Sequence, residues 1–419
     1  MRFCDIKRAM IFCFLTVMVM PVLANDLLQV PPEEVGFSSD RLERVRDYFN
    51  NRVKNGALPG AVMMVSRHGK IVLYDAVGYA NLEAREKLRT DHIFRMQSMT
   101  KPIAATALMM LYEEGRFQMS DPLHKYLPEL KGIKVEDGMN DDGSLRLVRA
   151  KRPPNMLDVL RHTAGFSSDG DKKYAEVGLN HPEKSTLESM ITKLAKIPLE
   201  YQPGEKWVYS ISSNVQARLV EVLSGVSFDE FLQKRLFDKL RMNNTGFTLT
   251  PDKKTRLGPQ YKIDDQGLLK PLLNDKYPER HPYHYLRPVR FFSGSSGLVS
   301  TAEDYWRYAQ MMLDGGKFDD ARILGPRTIE FMTQDPLQNI PGMPSSMGYG
   351  LGFGVMKTQA LSGSMAPGGT YFWGGGFGTR FWIDPKEDIV AIFLSQTVPN
   401  QIAAEVENIY ALVYSALIE

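Results

Sequence analysis

Apolar residues along the chain follow two different periods, and strands are predicted mainly near its two ends. Spacings of three and four predict a helix over 40–49, while alternation predicts strands over 61–66 and 71–79, joined by a turn at 67–70. A last helix is predicted over 403–418. Alternation returns before it and predicts strands over 349–355, 370–373, 379–384 and 389–395.

The middle of the chain has helical patterns punctuated by proline and glycine. The run from Pro102 to Tyr112 is almost continuously apolar, which is typical of a buried helix, and Gly115 ends it. Between Pro251 and Arg290 the pattern is less regular and predicts a loop-rich insertion that covers a site. The other predicted helices span 155–162, 185–197, 213–223, 228–240 and 301–313.

This distribution of elements predicts an α+β fold. The two chain ends would build one antiparallel sheet, and a mostly helical region would be inserted between them. We place the sheet and its flanking helices at residues 25–95 and 290–419, and the helical region at 96–289. A cleft between the two parts is the expected ligand site.

The first residues have the organisation of a secretory signal peptide. Basic residues precede the apolar run 10–20, and the small residue Ala24 ends the segment at the position that a signal peptidase reads. We therefore expect residues 1–24 to be removed and the protein to be exported, either periplasmic or secreted. An uncleaved N-terminal anchor is the alternative. No later segment is long and apolar enough to predict a membrane span.

Removal of that segment changes the composition in two ways. Both cysteines, Cys4 and Cys13, lie within it, so the mature chain would hold no thiol for a disulfide, a cysteine nucleophile or a zinc–thiolate site. Residues 1–24 also hold three of the 51 basic and one of the 49 acidic residues, which leaves no formal net charge. Nothing in this balance predicts nucleic acid or an anionic membrane as a partner.

Ser98 and Lys101 open the apolar helix, three residues apart. That spacing puts both side chains on one face, where an amine can take a proton from a hydroxyl, although serine is also a common helix cap. Other chemistries find less support. No serine has glycines two before and two after it, and the glycine-rich segments lack the dinucleotide-binding spacing. The only close histidine pair is His281 and His284, so we expect no metal and no organic cofactor.

Five segments in order resemble the serine β-lactamase and penicillin-binding-protein superfamily. The likeness is strongest to its class C β-lactamase-like branch and the family VIII carboxylesterases. It implies a β-lactamase/transpeptidase-like fold over nearly all of the mature chain. The segments are 94–102 with Ser98 and Lys101, 157–166, 207–210 with Tyr209, 296–304, and 373–375 beginning with Trp373.

The resemblance assigns roles to these residues. Ser98 would be the nucleophile, and Lys101 and Tyr209 would move its proton, although the sequence does not decide which of the two is the base. Lysine acts as a base only when neutral, which requires a lowered pKa. The oxyanion would be held by the amides of Ser98 and Gly376, the latter in the strand motif Trp373-Gly374-Gly375-Gly376.

Two departures from the superfamily's pattern bear on the substrate. Trp373 stands where penicillin-binding enzymes carry the lysine of Lys-Thr-Gly, and Ile211 stands where they carry asparagine. Family VIII carboxylesterases have similar changes, which favours short acyl esters as substrates. The alternatives are a D-amino-acid peptidase or a weak β-lactamase, and, in another class, a non-catalytic cell-wall peptide-binding protein. The expected partner is a small-molecule ester or amide, and the oligomeric state is not predicted.

Overall fold

The computed structural model describes residues 27–168, 170–179, 184–272, 285, 288–337, 340–359 and 363–419. The predicted signal peptide and the pair His281 and His284 lie outside these ranges. The helices are α1 (Ser39–Lys54), α2 (Thr100–Glu113), α3 (Met156–Leu160), α4 (Lys172–Glu176), α5 (Leu187–Leu194), α6 (Ser212–Ser224), α7 (Phe228–Leu232), α8 (Asp238–Leu240), α9 (Ala302–Leu313), α10 (Pro326–Thr333), α11 (Gln401–Ala404) and α12 (Val406–Tyr414).

Most of the strands lie towards the two chain ends, and the described residues between Arg149 and Tyr261 form none. They are β1 (Gly60–Arg67), β2 (Lys70–Asn81), β3 (Glu86–Lys87), β4 (Phe94–Arg95), β5 (Lys134–Met139), β6 (Leu145–Arg149), β7 (Tyr261–Ile263), β8 (Leu269–Pro271), β9 (Val299–Ser300), β10 (Lys317–Phe318), β11 (Ala321–Arg322), β12 (Met347–Tyr349), β13 (Gly354–Met356), β14 (Tyr371–Gly375), β15 (Thr379–Asp384), β16 (Ile389–Leu394) and β17 (Thr397–Val398).

Strands from both chain ends form the central sheet. Within the described residues it has eight strands in the order β12-β13-β14-β15-β16-β1-β2-β3, and every neighbouring pair is antiparallel. The two ends meet where β1 pairs with β16, with Val62 opposite Leu394. The predicted α+β class with an antiparallel sheet is confirmed.

Helices cover both faces of this sheet. Along β1 the side chains alternate between two cores: Val62 and Met64 join the larger one, and Met63 joins the smaller one under α1 and α12. On the smaller side Trp382 meets Tyr410 of α12 at 4.6 Å between ring centroids. On the larger side α2 is buried from Thr100 to Leu111, as its continuous apolar sequence predicts.

Several elements differ from the sequence-based prediction, and α4 and α10 are among the helices that were not predicted. The strand predicted over 349–355 is the hairpin β12–β13, because Gly352 has a φ of 96° and the amide of Gly350 donates to Phe353 across the turn at 2.8 Å. The strands β5 and β6 were not predicted, since their side chains are mostly polar and exposed and lack apolar alternation. The last helix is broken at Glu405, which has a φ of −111°.

The segment predicted as a loop-rich insertion contains regular structure. Its described part includes a 3₁₀ helix over Pro251–Arg256 and the strands β7 and β8. In a three-stranded sheet β7 pairs with both β8 and β17, so this part of the segment is anchored near the C-terminal end of the chain.

Candidate active site

Ser98 lies in a strained turn that leads into α2. Gln97 before it has a φ of 49°, in the left-handed region that a glutamine rarely adopts. The amide of Met96 donates to the carbonyl of Leu298 at 2.9 Å, and Thr379 Oγ1 donates to the carbonyl of Met96 at 3.2 Å. Such strain persists only where surrounding contacts enforce it. These contacts therefore hold the half-buried hydroxyl of Ser98 in one place.

The structure brings Lys101 and Tyr209 to this serine. Lys101 is 1% exposed, and its Nζ lies 3.3 Å from Ser98 Oγ. An ammonium donates across that distance, whereas a neutral amine can accept the proton of the hydroxyl. The same Nζ lies 4.4 Å from the ring centroid of Tyr209, within the range of a cation–π contact. The three predicted side chains thus form one cluster.

The amine of Lys101 has a further partner that sequence reasoning missed. It donates to the backbone carbonyl of Ser295 at 3.1 Å. Asn214 of α6 holds that turn, because its Oδ1 accepts from the amide of Ser295 at 3.0 Å and from Ser293 Oγ at 2.9 Å. No side-chain pattern in the sequence marks a residue that acts through its backbone carbonyl.

Aromatic rings surround Tyr209 and form a wall beside the serine. The centroid of Trp373 lies 5.5 Å from that of Tyr209 and 5.2 Å from that of Tyr349, and Trp207 lies 5.5 Å from Tyr349. Trp373 and Trp207 are partly exposed, whereas Tyr349 is buried. Burial raises the pKa of Tyr349 well above its usual value, so this phenol stays neutral. We call Trp207, Tyr209, Tyr349 and Trp373 the aromatic wall.

His162 packs behind the aromatic wall, in the segment 157–166 that carried part of the resemblance. Its ring centroid lies 5.4 Å from that of Tyr209, and its Nδ1 accepts from the amide of Ser210 at 3.0 Å. Burial, with the charge of Lys101 as second cause, lowers the pKa of His162 to about 3. The imidazole is therefore neutral at ordinary pH. Its contacts connect it to the backbone beside Tyr209, and no role was predicted for it from the sequence.

The end of β14 packs against the serine's turn. A Cβ added to Gly375 would lie 2.2 Å from the carbonyl oxygen of Met96 and 2.3 Å from Thr379 Oγ1, so only glycine permits this approach. Gly374 is oriented differently, and an added Cβ there would lie 3.0 Å from the carbonyl oxygen of Thr379. Gly376 follows the strand in an exposed turn, with no atom within 4 Å of an added Cβ.

The backbone N–H groups of Ser98 and Gly376 both lie at this junction. Within the described ranges, neither the amide of Ser98 nor that of Gly376 donates to another backbone group. Ser98 lies at the start of a helix, where amides are free of intrahelical bonds and the helix dipole is positive. The arrangement is suited to stabilising negative charge beside the serine.

Among the described residues, no three histidine, cysteine or carboxylate side chains are grouped as a metal site would require. No helix in the described ranges has the length and apolarity needed to cross a membrane.

Comparison with known proteins finds relatives that match most of the chain. The sequence model of the family described as Beta-lactamase matches residues 45–415. Protein Rv1367c of Mycobacterium tuberculosis is 31% identical over 361 residues, which cover 82% of this chain and 87% of that protein. A Salmonella typhimurium protein provisionally named D-alanyl-D-alanine carboxypeptidase is 26% identical over 398 residues, covering 90% and 87%. Esterase EstB of Burkholderia gladioli is 25% identical over 370 residues, covering 84% and 90%.

Solved structures show the same fold. EstCE1, described as a hydrolase with promiscuous acyltransferase activity, superposes with a TM-score of 0.76 at 24% identity, covering 90% of this chain and 99% of that one. Simvastatin synthase (LovD) of Aspergillus terreus gives a TM-score of 0.77 at 21% identity, with the same two coverages. At these identities the likeness establishes a shared β-lactamase/transpeptidase-like fold.

Proposed function

This chain belongs to the beta-lactamase family and is a serine hydrolase, and we propose that it hydrolyses short-chain carboxylic esters through an acyl-enzyme on Ser98. The proposal includes export, which rests on the sequence of residues 1–24. The observation that carries the chemistry is the contact between Ser98 Oγ and Lys101 Nζ at 3.3 Å, under the ring of Tyr209. Nucleophilic serine catalysis needs such a base within hydrogen-bond reach.

The acylation step follows from this geometry. Lys101, as the neutral amine, takes the proton of Ser98, and Oγ forms a bond to the ester's carbonyl carbon. The resulting oxyanion accepts hydrogen bonds from the amides of Ser98 and Gly376. When the carbon–alkoxy bond breaks, the alkoxide takes a proton from Lys101 or Tyr209 and leaves as the alcohol.

Deacylation uses the same groups with water in place of the serine. Lys101 or Tyr209 takes a proton from the water as its oxygen bonds to the acyl carbon, and Ser98 leaves with a proton returned to Oγ. His162 takes no part as a base, because burial lowers its pKa to about 3 and its Nδ1 already accepts from Ser210.

The aromatic wall supports an uncharged acyl ester as the substrate class. Trp373 supplies a ring at the position where the resemblance would place a lysine, and a lysine there would hold a substrate carboxylate. A carboxylate against this wall would lose its hydration without gaining a cationic partner from that position. A short acyl chain, in contrast, buries apolar surface against the rings. EstB, a relative over most of the chain, is named an esterase.

The direct test is hydrolysis of p-nitrophenyl butyrate by the wild type and by Ser98→Ala. We expect turnover by the wild type and its loss in the variant. The matched control is Ser144→Ala, an exposed serine in the turn between β5 and β6, which should keep wild-type activity. Equal turnover by wild type and Ser98→Ala would refute Ser98 as the nucleophile.

Two further substrates test whether the protein prefers esters over β-lactams and peptides. Nitrocefin and a peptide ending in D-alanyl-D-alanine both carry a carboxylate, so kcat/KM for each should fall well below that for the butyrate ester. Efficient hydrolysis of nitrocefin would contradict the role given to Trp373. Efficient cleavage of the peptide would make the chain a peptidase, the activity after which the Salmonella typhimurium relative is named.

A further inference from the structure

The peptide bond between Gly375 and Gly376 carries two groups with opposite tasks. Its nitrogen bears the N–H that the proposed mechanism gives to the oxyanion, and its carbonyl belongs to the last residue of β14. Because a trans peptide is planar, its C=O and N–H point in opposite directions. Whatever fixes the direction of the Gly375 carbonyl therefore fixes the direction of the Gly376 amide.

The sheet holds only one end of this peptide, because Gly375 pairs with Thr379 at the end of the β14–β15 ladder and Gly376 lies beyond the paired residues. The peptide lies between two glycines, and residues without Cβ rotate more freely about φ and ψ than any others. Its amide donates to no backbone group in the described ranges. A rotation of the peptide plane would turn the N–H away and present a carbonyl oxygen to the developing negative charge.

Asn400 fixes the carbonyl of this peptide. Its Nδ2 donates to the carbonyl oxygen of Gly375 at 2.5 Å, across 25 residues of sequence. Its Oδ1 accepts from the amide of Ala403 at 2.8 Å, as the N-cap of α11. The cap defines which end of the side-chain amide is oxygen, so the NH₂ group is the one that faces Gly375.

A second, longer contact reaches the same oxygen. The amide of Gly378 donates to the Gly375 carbonyl at 3.3 Å, as part of the turn between β14 and β15. At 3.3 Å this contact lies beyond the usual length for an N–H···O bond, and it comes from another glycine. The Asn400 bond is the shorter and comes from a side chain that is itself tied to a helix.

We propose that Asn400 is a positioning residue that holds the Gly375–Gly376 peptide with its N–H directed at the reacting carbonyl oxygen. This inference rests on the proposed function. The side chain acts through the peptide and makes no contact with the reacting atoms in this role. Loss of the bond should lower kcat, because the oxyanion exists only on the reaction path, and should change KM little.

The test separates positioning from helix capping. Asn400→Asp keeps a capping oxygen of equal quality but replaces the NH₂ donor with a carboxylate oxygen that repels the Gly375 carbonyl. Asn400→Ser also keeps a capping oxygen, adds no charge, and is too short to reach Gly375 while it caps. Asn400→Ala loses both contacts. Each variant is assayed with p-nitrophenyl butyrate beside wild type and Ser98→Ala.

If Asn400 positions the peptide, Asn400→Asp and Asn400→Ser should each lower kcat by about 10²-fold, the usual effect of losing one oxyanion donor. The thermal unfolding of both variants should stay close to that of the wild type. Affinity for butylboronic acid, an analogue of the tetrahedral intermediate, should fall with kcat. For capping alone, both variants would keep the wild-type kcat and only Asn400→Ala would lose stability. That result would overturn the inference while wild type and Ser98→Ala still support the function. Equal turnover by those two would instead contradict the function itself.

Discussion

Gly375 offers the sharpest test of how closely the strand β14 must approach the turn that holds Ser98. In Gly375→Ala the added Cβ would lie 2.2 Å from the carbonyl oxygen of Met96, whereas real Cβ atoms essentially never come within 3.0 Å of such an atom. The strand and the turn before Ser98 must therefore separate by about 0.8 Å at this contact. A displacement near 1 Å in an active site can cost about 10²-fold in rate, so we expect kcat to fall by that order.

The assay is kcat for p-nitrophenyl butyrate, with thermal unfolding measured on the same samples. Gly246→Ala is the matched control, because its added Cβ would make only an ordinary contact of 3.6 Å and its φ is not positive. Gly376→Ala keeps its amide and has open space, so it should lower kcat less than Gly375→Ala does. If Gly375→Ala folds and keeps the kcat of Gly246→Ala, the close approach is not required and the reasoning is wrong.

Two further variants test groups around the serine. Lys101→Arg keeps the positive charge but cannot give up its proton, so kcat should fall by about 10²-fold or more if Lys101 is the base, whereas a purely cation–π role would leave kcat near the wild-type value. His162→Leu leaves the amide of Ser210 without its acceptor and should lower the free energy of unfolding by about 1–3 kcal/mol, and His162→Asn should recover part of this because its Oδ1 can replace Nδ1. Since folding lowers the pKa of His162 to about 3, the wild type should lose stability as the pH falls from about 6.5 towards 3. Denaturant titrations should show that the stability of His162→Asn depends less on pH. The same pH dependence in both proteins would contradict a neutral imidazole in the folded state.

The sequence predicts most of the central sheet and its buried helix, for a physical reason. Buried elements such as β1, β16 and α2 consist largely of apolar residues, and the sequence pattern therefore predicts them. The strands of the hairpin β5–β6 are mostly polar and exposed, so they have no apolar pattern that would predict them. In the hairpin β12–β13, alternating glycines imitate a strand, although Gly352 in fact makes a turn.

The site also contains residues that the sequence predicts and contacts that it does not predict. Ser98, Lys101, Tyr209 and Trp373 are recognisable because their side chains belong to motifs, and the structure brings them together. The backbone amides of Ser98 and Gly376 are expected because both residues belong to these motifs, whereas backbone groups outside the motifs leave no such signal in one sequence. The carbonyl of Ser295, the positive φ of Gln97 and the bond from Asn400 to Gly375 all depend on tertiary contacts over long separations in the chain.

The sequence and the geometry of the site support the same proposed division of roles. The proposed nucleophile and its amine come from the turn before α2 and from the first turn of α2. The aromatic wall comes from the segment before α6 and from the strands β12 and β14. We propose that Ser98 carries out the reaction and that Trp373 and its neighbours set the substrate preference, and separate variants can test the two roles independently.

The central claim is that Ser98 becomes acylated, and the most direct measurement is the identity of the covalently modified residue. The protein is labelled with a fluorophosphonate probe, digested, and mapped by mass spectrometry, with Ser98→Ala treated in parallel. Our account predicts one modified peptide, carrying the probe on Ser98, and no labelling of the variant. A probe bound to another serine, or equal labelling of Ser98→Ala, would contradict it.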